Sequence, residues 1–330
     1  MIATKFAVDL ARFRDRVLGS RLPITSIDAC RALATPPAML SLGLALSSVS
    51  YAQSMEEGSL RESLDLRLDV SYMYDTNVNR APNGQQRLTD QFYSLNATAG
   101  GLTLPLNTST RLVLDGAVGG DMTRFFPKLG RVFGEFGAAL QYRKSADFYD
   151  PTFSLFGRIT PEHFGSSQRR GYQYSVGVSA LQPVTDRINL FGVLAHHERN
   201  ANSSVFDAND NSAQVTLDYS IGPHGTFYLT GEYRRGDVVS TGPESLVNLD
   251  IAKVFVQDDA YTNPQLISYR FEAKSYITML GYNVPVGPSG SLDFSWRWAQ
   301  STPTQSAGFP GAETPRYVDN QFMILYAMRF

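Results

Sequence analysis

From residue 63 onward, apolar and polar side chains alternate along most of the chain. The first segment is the cleanest. Leu64, Leu66, Leu68, Val70, Tyr72 and Tyr74 take every second place, with Ser63, Asp65, Arg67, Asp69 and Ser71 between them. Successive side chains of a strand point to opposite faces, so one face is wholly apolar and the other carries full charges. On a helix the same residues would scatter around the cylinder. The alternation recurs: Tyr93, Leu95, Ala97 and Ala99 against Ser94, Asn96 and Thr98; Leu112, Leu114 and Val118 against Arg111, Asp115 and Asp121; Phe136, Ala138, Leu140 and Tyr142 against Glu135, Gln141 and Arg143. Phe153, Leu155 and Ile159 oppose Ser154 and Arg158. Val215, Leu217 and Tyr219 oppose Thr216 and Asp218. Phe227, Leu229 and Tyr233 oppose Glu232 and Arg234, and Leu292, Phe294, Trp296 and Trp298 oppose Asp293 and Arg297. In 267–284 the apolar phase flips, from Tyr269, Phe271 and Ala273 to Tyr276, Leu280 and Tyr282. One extra residue restores a face, so the flip predicts a β-bulge or a strand start at Lys274-Ser275.

The connections alternate in length. Tight Pro-, Gly- and Asn-rich turns fall at 105–110, 182–186, 222–225 and 285–290, with a slightly longer one at 144–151. Between them lie polar loops at 75–91, 161–171, 199–211, 237–265 and 301–316, and a short one at 124–131. Such asymmetry belongs to transmembrane barrels with short periplasmic turns and longer outer loops. The reading is an all-β chain, a transmembrane antiparallel up-and-down β-barrel of about twelve strands, in the bacterial outer membrane, with both termini periplasmic. A soluble sandwich would also bury one apolar face. Against it stand the mixed charges on the polar faces and the Tyr and Trp toward the strip ends, where an apolar ring with a wet tip suits a bilayer interface.

The last strand is the most specific segment. Phe322, Ile324, Tyr326, Met328 and Phe330 share one face, and the sequence stops at the last of them. This resembles the terminal-aromatic signal by which outer-membrane barrels are presented to the barrel-assembly machinery. Parity sends Phe330 toward lipid and Arg329 into the lumen, and the strand is expected to close the barrel against residues 63–74.

Composition fits this picture and removes others. The 330 residues carry a net charge of -2, so no basic surface suggests nucleic acid. Mean hydropathy is -0.19, too polar for a bundle of membrane helices. Tyr, Phe and Gly number 17, 20 and 27, as strands and turns require. Residues 38–50, AMLSLGLALSSVS, have the length of a signal-peptide core and are too short to span a bilayer as a helix. Ser50-Tyr51-Ala52 then supplies the small residues of a cleavage site, leaving Gln53 first. The expected organisation is a signal peptide with an extended charged leader at 1–52, a short periplasmic segment at 53–62 and the barrel at 63–330. Cys30 precedes the apolar core, so the mature chain has no cysteine to form a disulfide.

Catalytic patterns are sparse. The chain has no P-loop, dinucleotide glycine pattern or G-x-S-x-G elbow, and no cofactor or metal is assigned. His196 and His197 are strand neighbours and face opposite ways. Asp207, Asn209 and Asn211 have calcium-loop spacing with Asp218 at the twelfth place, but Ser212 replaces the required glycine. The polar faces instead describe a lumen lined by Asp65, Arg67, Asp69, Asp115, Glu135, Arg143, Arg158, Asp218, Glu232, Arg234, Asp293 and Arg297. Acids and bases nearly balance, so weak ion selectivity is expected. The leading reading is a conduit or porin-like channel for a small or polymeric solute, linked to surface polysaccharide or lipoprotein export. The competing readings are a surface binding or assembly barrel that docks a partner on 237–265, and a barrel hydrolase needing a Ser–His pair or a carboxylate–histidine cluster.

The segment YDTNVNRAPN at 74–83 resembles the D-S-N-x-N-x-A stretch that opens the barrel of surface-lipoprotein assembly modifiers and related exopolysaccharide-associated barrels. Asp75, Asn77, Asn79, Ala81 and Pro82 match, and Thr76 replaces serine. The closing YVDNQFMILYAMRF is similar to the last strand of the same families. The resemblance spans some 25 residues and implies the barrel. Those modifiers carry a helical-repeat domain ahead of it, whereas about ten residues separate the cleavage site from the first strand here.

Deletion of Phe330 is expected to lower the membrane-inserted fraction far more than the melting temperature of molecules that do insert. Burying one ring contributes about 1.5–3 kcal/mol, whereas losing the assembly signal acts before folding. Normal insertion with lowered melting would make Phe330 a packing residue only.

Overall fold

The computed structural model describes residues 65–305, 308 and 314–330; the leader, Cys30, the cleavage site and segment 53–62 lie outside them. The strands are β1 (Asp65–Asp75), β2 (Asp90–Pro105), β3 (Thr110–Thr123), β4 (Arg131–Arg143), β5 (Thr152–Phe164), β6 (Gly171–Pro183), β7 (Ile188–Ala201), β8 (Ala208–Ser220), β9 (Thr226–Pro243), β10 (Val254–Gln257), β11 (Leu266–Val286), β12 (Gly290–Pro303) and β13 (Tyr317–Arg329). Neighbours in sequence pair antiparallel around a ring in which β9 pairs with β11, and β13 closes on β1 from Arg67↔Arg329 to Asp75↔Gln321. Twelve strands thus close a barrel, and β10 stands outside the ring. Strands of 11 residues or more are long enough to cross a bilayer at a tilt.

The outer face is an apolar belt. Leu66, Val70, Leu95, Val118, Phe136, Val176 and Leu229 are exposed, Phe136 to 76%. Aromatic pairs border it at both ends: Tyr72–Tyr93 and Tyr233–Tyr276 toward the long loops, with ring centroids 5.5 and 5.4 Å apart, and Phe227–Tyr282 at 4.4 Å toward the short turns. A water-soluble protein does not expose so continuous a belt, whereas hydrocarbon with an interface on each side calls for it. β1 begins and β13 ends at the short-turn end.

Neither the bulge nor the strand start expected at Lys274-Ser275 forms, since β11 runs through both residues. β11 pairs without interruption with β9, from Leu266↔Pro243 to Asn283↔Thr226. The phase flips because the strand changes surroundings. Below Ala273, Tyr276 and Leu280 face lipid while Ile277 and Met279 are buried inside. Above it, Tyr269, Phe271 and Ala273 pack with Ile251, Tyr317 and Val238 in an apolar cluster at the loop end. The register shift in β2 lies instead between Ala99 and Leu102. Ala99 pairs with Gly116 and Leu102 with Leu114, so Gly100 and Gly101 together oppose Asp115. Gly101 has φ +82°, which favours glycine. Leu95 and Leu104 can therefore both face outward despite their opposite parity.

The loops are shorter than their polarity suggested. β5 runs through 161–164, β7 and β8 absorb most of 199–211, and 237–265 is largely folded. Asn209 and Asn211 lie within β8 on its exposed face and Asp218 on its buried face, so the calcium-loop spacing does not wrap around an ion.

Segment 236–273 forms a lid. The last β8–β9 rung is Asp210↔Gly236, and the β11–β12 ladder begins at Ala273↔Pro303. Gly236 and Ala273 pair with each other, so both flanking walls stop at one rung. Beyond it the hairpin's strand ladders run only to itself and to β10, through Val254↔Arg270 to Gln257↔Ile267. A short helix, α1 (Leu246–Ile251), is capped by the Ser245 side chain accepting from the Asn248 N–H at 3.1 Å. Gly236 has φ +156°, and a Cβ there would meet the Asn209 carbonyl oxygen at 2.2 Å, so the departure point tolerates no side chain. Gly236→Ala is expected to unseat the lid while the barrel below stays folded, read as lost hydrogen-exchange protection confined to 237–272. Unchanged protection there would show that the rung is no hinge.

Candidate functional site: a charged interior beneath a latched lid

The polar faces of several strands carry ion pairs, some across neighbouring strands and some along one strand. On β3–β5, Arg158 lies 3.1 Å from Glu135 and 3.5 Å from Asp115. On β1, Arg67 holds Asp69 at 2.7 Å, and on β9 Arg234 is paired to Glu232. Asp218 is buried opposite Tyr228, whose hydroxyl donates across β11 to Asp293 at 2.9 Å. Arg297 donates to Gln321 at 3.1 Å. Asp65 opens β1 opposite Gly100, and Arg143 ends β4 by donating to the Asp147 carbonyl at 2.6 Å. Of the last strand, Phe322, Ile324 and Phe330 are exposed, Tyr326 and Met328 partly so, and the Phe330 N–H donates to Leu66 O at 3.0 Å.

A second charged group lies nearer the loops. Arg131 pairs with Glu162 and, at 2.7 Å, with Asp121; Arg199 reaches Glu162 at 3.2 Å. Sequence reasoning missed Glu162 and Arg199 because it assigned 161–171 and 199–211 to loops. Carrying strand parity a few residues further would have found both.

The latch of the lid was not legible at all. Asp258, with its side chain fully buried, receives both terminal nitrogens of Arg169, at 2.7 and 2.6 Å. Ser268 Oγ at 2.5 Å, Thr241 Oγ1 at 3.1 Å and the Ala260 N–H at 2.9 Å complete its shell. The guanidinium lies 4.0 Å from the Phe206 ring centroid. Asp259 accepts from Ser166 and, at 2.9 Å, from the Ser167 N–H; its carbonyl accepts from Lys128 at 2.8 Å. Lys128 belongs to the β3–β4 connection, which stands across the ring from the β9–β11 hairpin. Leu129, Ala260, Tyr261 and Leu266 share an apolar cluster there. The lid therefore crosses the mouth and is fastened to the opposite rim.

The asparagine motif of the first loop fastens the other side. Asn77 Nδ2 donates to the carbonyls of Ala81 and Val318, each at 2.9 Å. Asn79 Nδ2 donates to Gln86 and Thr241 carbonyls at 3.1 and 3.0 Å, and the Thr241 N–H returns to Asn79 O at 2.8 Å. Both side chains are buried. They join β1 to β13 and to the lid.

His197 Nε2 lies 3.1 Å from Ser212 Oγ, the pair from which acyl transfer starts. Asp210 stands opposite His197 in the register but makes no bond to it, and its Oδ1 has no partner, so no third group orients the imidazole. No group of three or more His, Cys, Asp or Glu suited to a metal occurs among the described residues.

No family model matches the sequence, and no curated protein does. Several solved structures align with the chain at low identity. An outer membrane channel from Pseudomonas putida aligns with a TM-score of 0.49 at 10% identity, over 81% of this chain and 96% of that one. The NanC porin aligns at 0.41 and 10%, over 80% and 100%. A KdgM porin in complex with disordered oligogalacturonate aligns at 0.38 and 8%, over 79% and 99%. Similarity at this level carries no inference about cargo. The closed ring, its apolar belt and its two aromatic borders decide the setting. The protein is a bacterial outer-membrane β-barrel.

The latch of this barrel titrates. Burial alone would raise the Asp258 carboxyl; the Arg169 charge and the donated hydrogen bonds outweigh it and hold the group below its ordinary value. Burial likewise opposes the charge on Arg169, and Asp258 more than restores it. A depressed carboxylate stabilises the closed lid above its ordinary pKa of about 3.9 and loses that contribution as pH falls through the lowered value. Hydrogen-exchange protection of 254–261, corrected for intrinsic rates, is thus expected to hold from neutrality to about pH 4 and to fall below it. Removing one partner of a buried pair costs about 3–5 kcal/mol. Arg169→Ala should therefore lose most of this protection at pH 7, and Arg169→Ala/Asp258→Ala should lose less. Equal loss in both variants would contradict the latch.

Proposed function

We propose that the barrel is a solute conduit whose loop-end mouth is shut at rest by the lid 236–273, and which conducts when the Arg169–Asp258 latch releases. The observation that carries this reading is the lid fastened to the opposite rim above a wall of paired charges. A barrel whose only task was to sit in the membrane would need neither. In this reading the long loops face the cell exterior and both termini the periplasm. The twelve charged residues from Asp65 to Arg297 line the path, and the strip Phe322–Phe330 is what the barrel-assembly machinery engages. Mixed charge along the wall suits a polar solute that exchanges its hydration for transient contacts with either sign.

The competing reading, docking of a partner on 237–265, has less support. Polar groups of that segment are spent on the barrel's own rim, at Asp258, Asp259 and the Thr241 backbone. The asparagine motif that resembles the one in lipoprotein assembly modifiers stitches the cap here, so it adds nothing in favour of polysaccharide or lipoprotein export.

Planar-bilayer recording tests the proposal. Wild-type barrel should be closed for most of the record, and Arg169→Ala should raise the open fraction by on the order of a hundredfold, as a loss of about 3 kcal/mol or more implies. In that open background, Asp115→Asn with Glu135→Gln should move the reversal potential in a salt gradient toward anion preference. A barrel that stays silent once the lid is released is not a conduit.

A further inference from the structure

The outer face carries a polar site just above the apolar belt. Tyr233 and Tyr276 pair across β9 and β11 and mark the upper edge of the belt. One rung further toward the lid on the same face, Lys274 stands directly across from Arg235. Both are exposed, and this is the last wall rung but one before the hairpin leaves the barrel. Like charges directly opposite on paired strands are destabilising unless something answers them. Glu272 lies 3.3 Å from Arg235 and answers that one; Lys274 makes no ion pair among the described residues. Lys253 reaches the same place from the lid, with Nζ 2.7 Å from Asp237, and Arg270 lies 3.6 Å from that carboxylate. Four cations therefore face two carboxylates. Asp207, two residues from Asn209, gives its carbonyl to Arg270 at 3.1 Å and its carboxylate to the Ala201 N–H at 2.8 Å. Glu198 stands opposite Asn209 on β7, two strands from Arg235. A cavity of about 400 Å³ opens among Asn209, Asn211, Arg235, Asp237, Lys253 and Glu272.

Position and chemistry together select the ligand. Aromatic pairs sit at the level where lipid tails end, so a cavity one rung above them lies among headgroups. Arg235 and Lys253 line the cavity beside asparagine amides, each shared with a carboxylate, and Lys274 stands opposite Arg235 at its edge. Such groups are the donors that phosphate oxygens accept from. We propose that the cleft lined by Arg235 and Lys253, with Lys274 at its edge, binds the phosphate of a phosphorylated glycolipid headgroup in the outer leaflet, fixing lipid at the foot of the lid. The choice of leaflet rests on the outward-facing loop end proposed above; the phosphate site itself does not.

The test is native mass spectrometry of folded barrel exposed to lipid A, dephosphorylated lipid A, phosphatidylglycerol and phosphatidylcholine. Lipid A should be retained about tenfold or more over its dephosphorylated form, since the charge-assisted hydrogen bonds to phosphate are lost with that group. Lys274→Glu with Arg235→Glu should erase that preference while the heat-modifiable band on a gel stays unchanged. If the double reversal fails to insert, Lys274→Gln, which removes only the charge, should still lower the preference. Equal retention of phosphorylated and dephosphorylated lipid A, or a preference unmoved in folded variants, overturns the site. Phosphatidylglycerol retained in place of lipid A overturns the assignment to the outer leaflet. Conductance plays no part in the readout, so this result and the conduit proposal stand or fall apart.

Discussion

The structure depends first on the rule that no backbone N–H or C=O can be left unpaired in hydrocarbon, where each costs several kcal/mol. An antiparallel sheet meets that rule only if its first and last strands find each other. Here β1 and β13 do so over nine rungs, from Arg67↔Arg329 to Asp75↔Gln321. Closure then fixes the rest of the wall. Once the ring is complete, strand parity sends Val70, Phe136 and Leu229 outward and leaves Asp69, Glu135 and Glu232 no place but the inside. Carboxylates gathered in that interior are tolerable because guanidinium groups stand among them, as Arg158 does between Asp115 and Glu135.

The same rule explains where the lid begins. Inside the bilayer every strand needs a partner on both edges. Beyond the rung Gly236↔Ala273 neither wall neighbour continues, so the hairpin must be outside hydrocarbon and free to bend. What it bends onto is set by side chains rather than by the ladder. Asp258 finds Arg169, Asp259 finds Ser166 and Ser167, and Asn79 grips Thr241. The Arg169–Asp258 pair is buried and bidentate, so it specifies one seated position strongly. Any opening must leave both charges to water together.

Much of the wall was legible from alternation alone, because a period of two has only one meaning when one face meets lipid. The clean run from Leu64 to Tyr74 gave β1 and its partner, and the terminal strip gave β13. Two flips of apolar phase show where such reading needs a second clue. At Ala99–Leu102 the flip is a true bulge, and the adjacent pair Gly100-Gly101 supplies the backbone freedom for it. At Ala273–Tyr276 no glycine is present, and the aromatics above the flip pack inward on Ile251 and Tyr317 instead. A flip with glycines marks a bulge; a flip with aromatics marks a change of surroundings. The latch could not be read in this way. Arg169 and Asp258 are 89 positions apart on irregular segments, and no periodicity relates them. Loop boundaries failed for a related reason. Polar residues such as Asn209 and Asn211 were read as loop, although strand ends that rise past the hydrocarbon are free to be polar.

The central claim is a closed membrane barrel, and cell fractionation combined with gel mobility tests it most directly. A closed barrel is expected to sediment with outer membranes, to resist extraction until detergent is added, and to run at a different apparent size unboiled than boiled. A protein recovered in the soluble periplasm, with one mobility in both conditions, would contradict it.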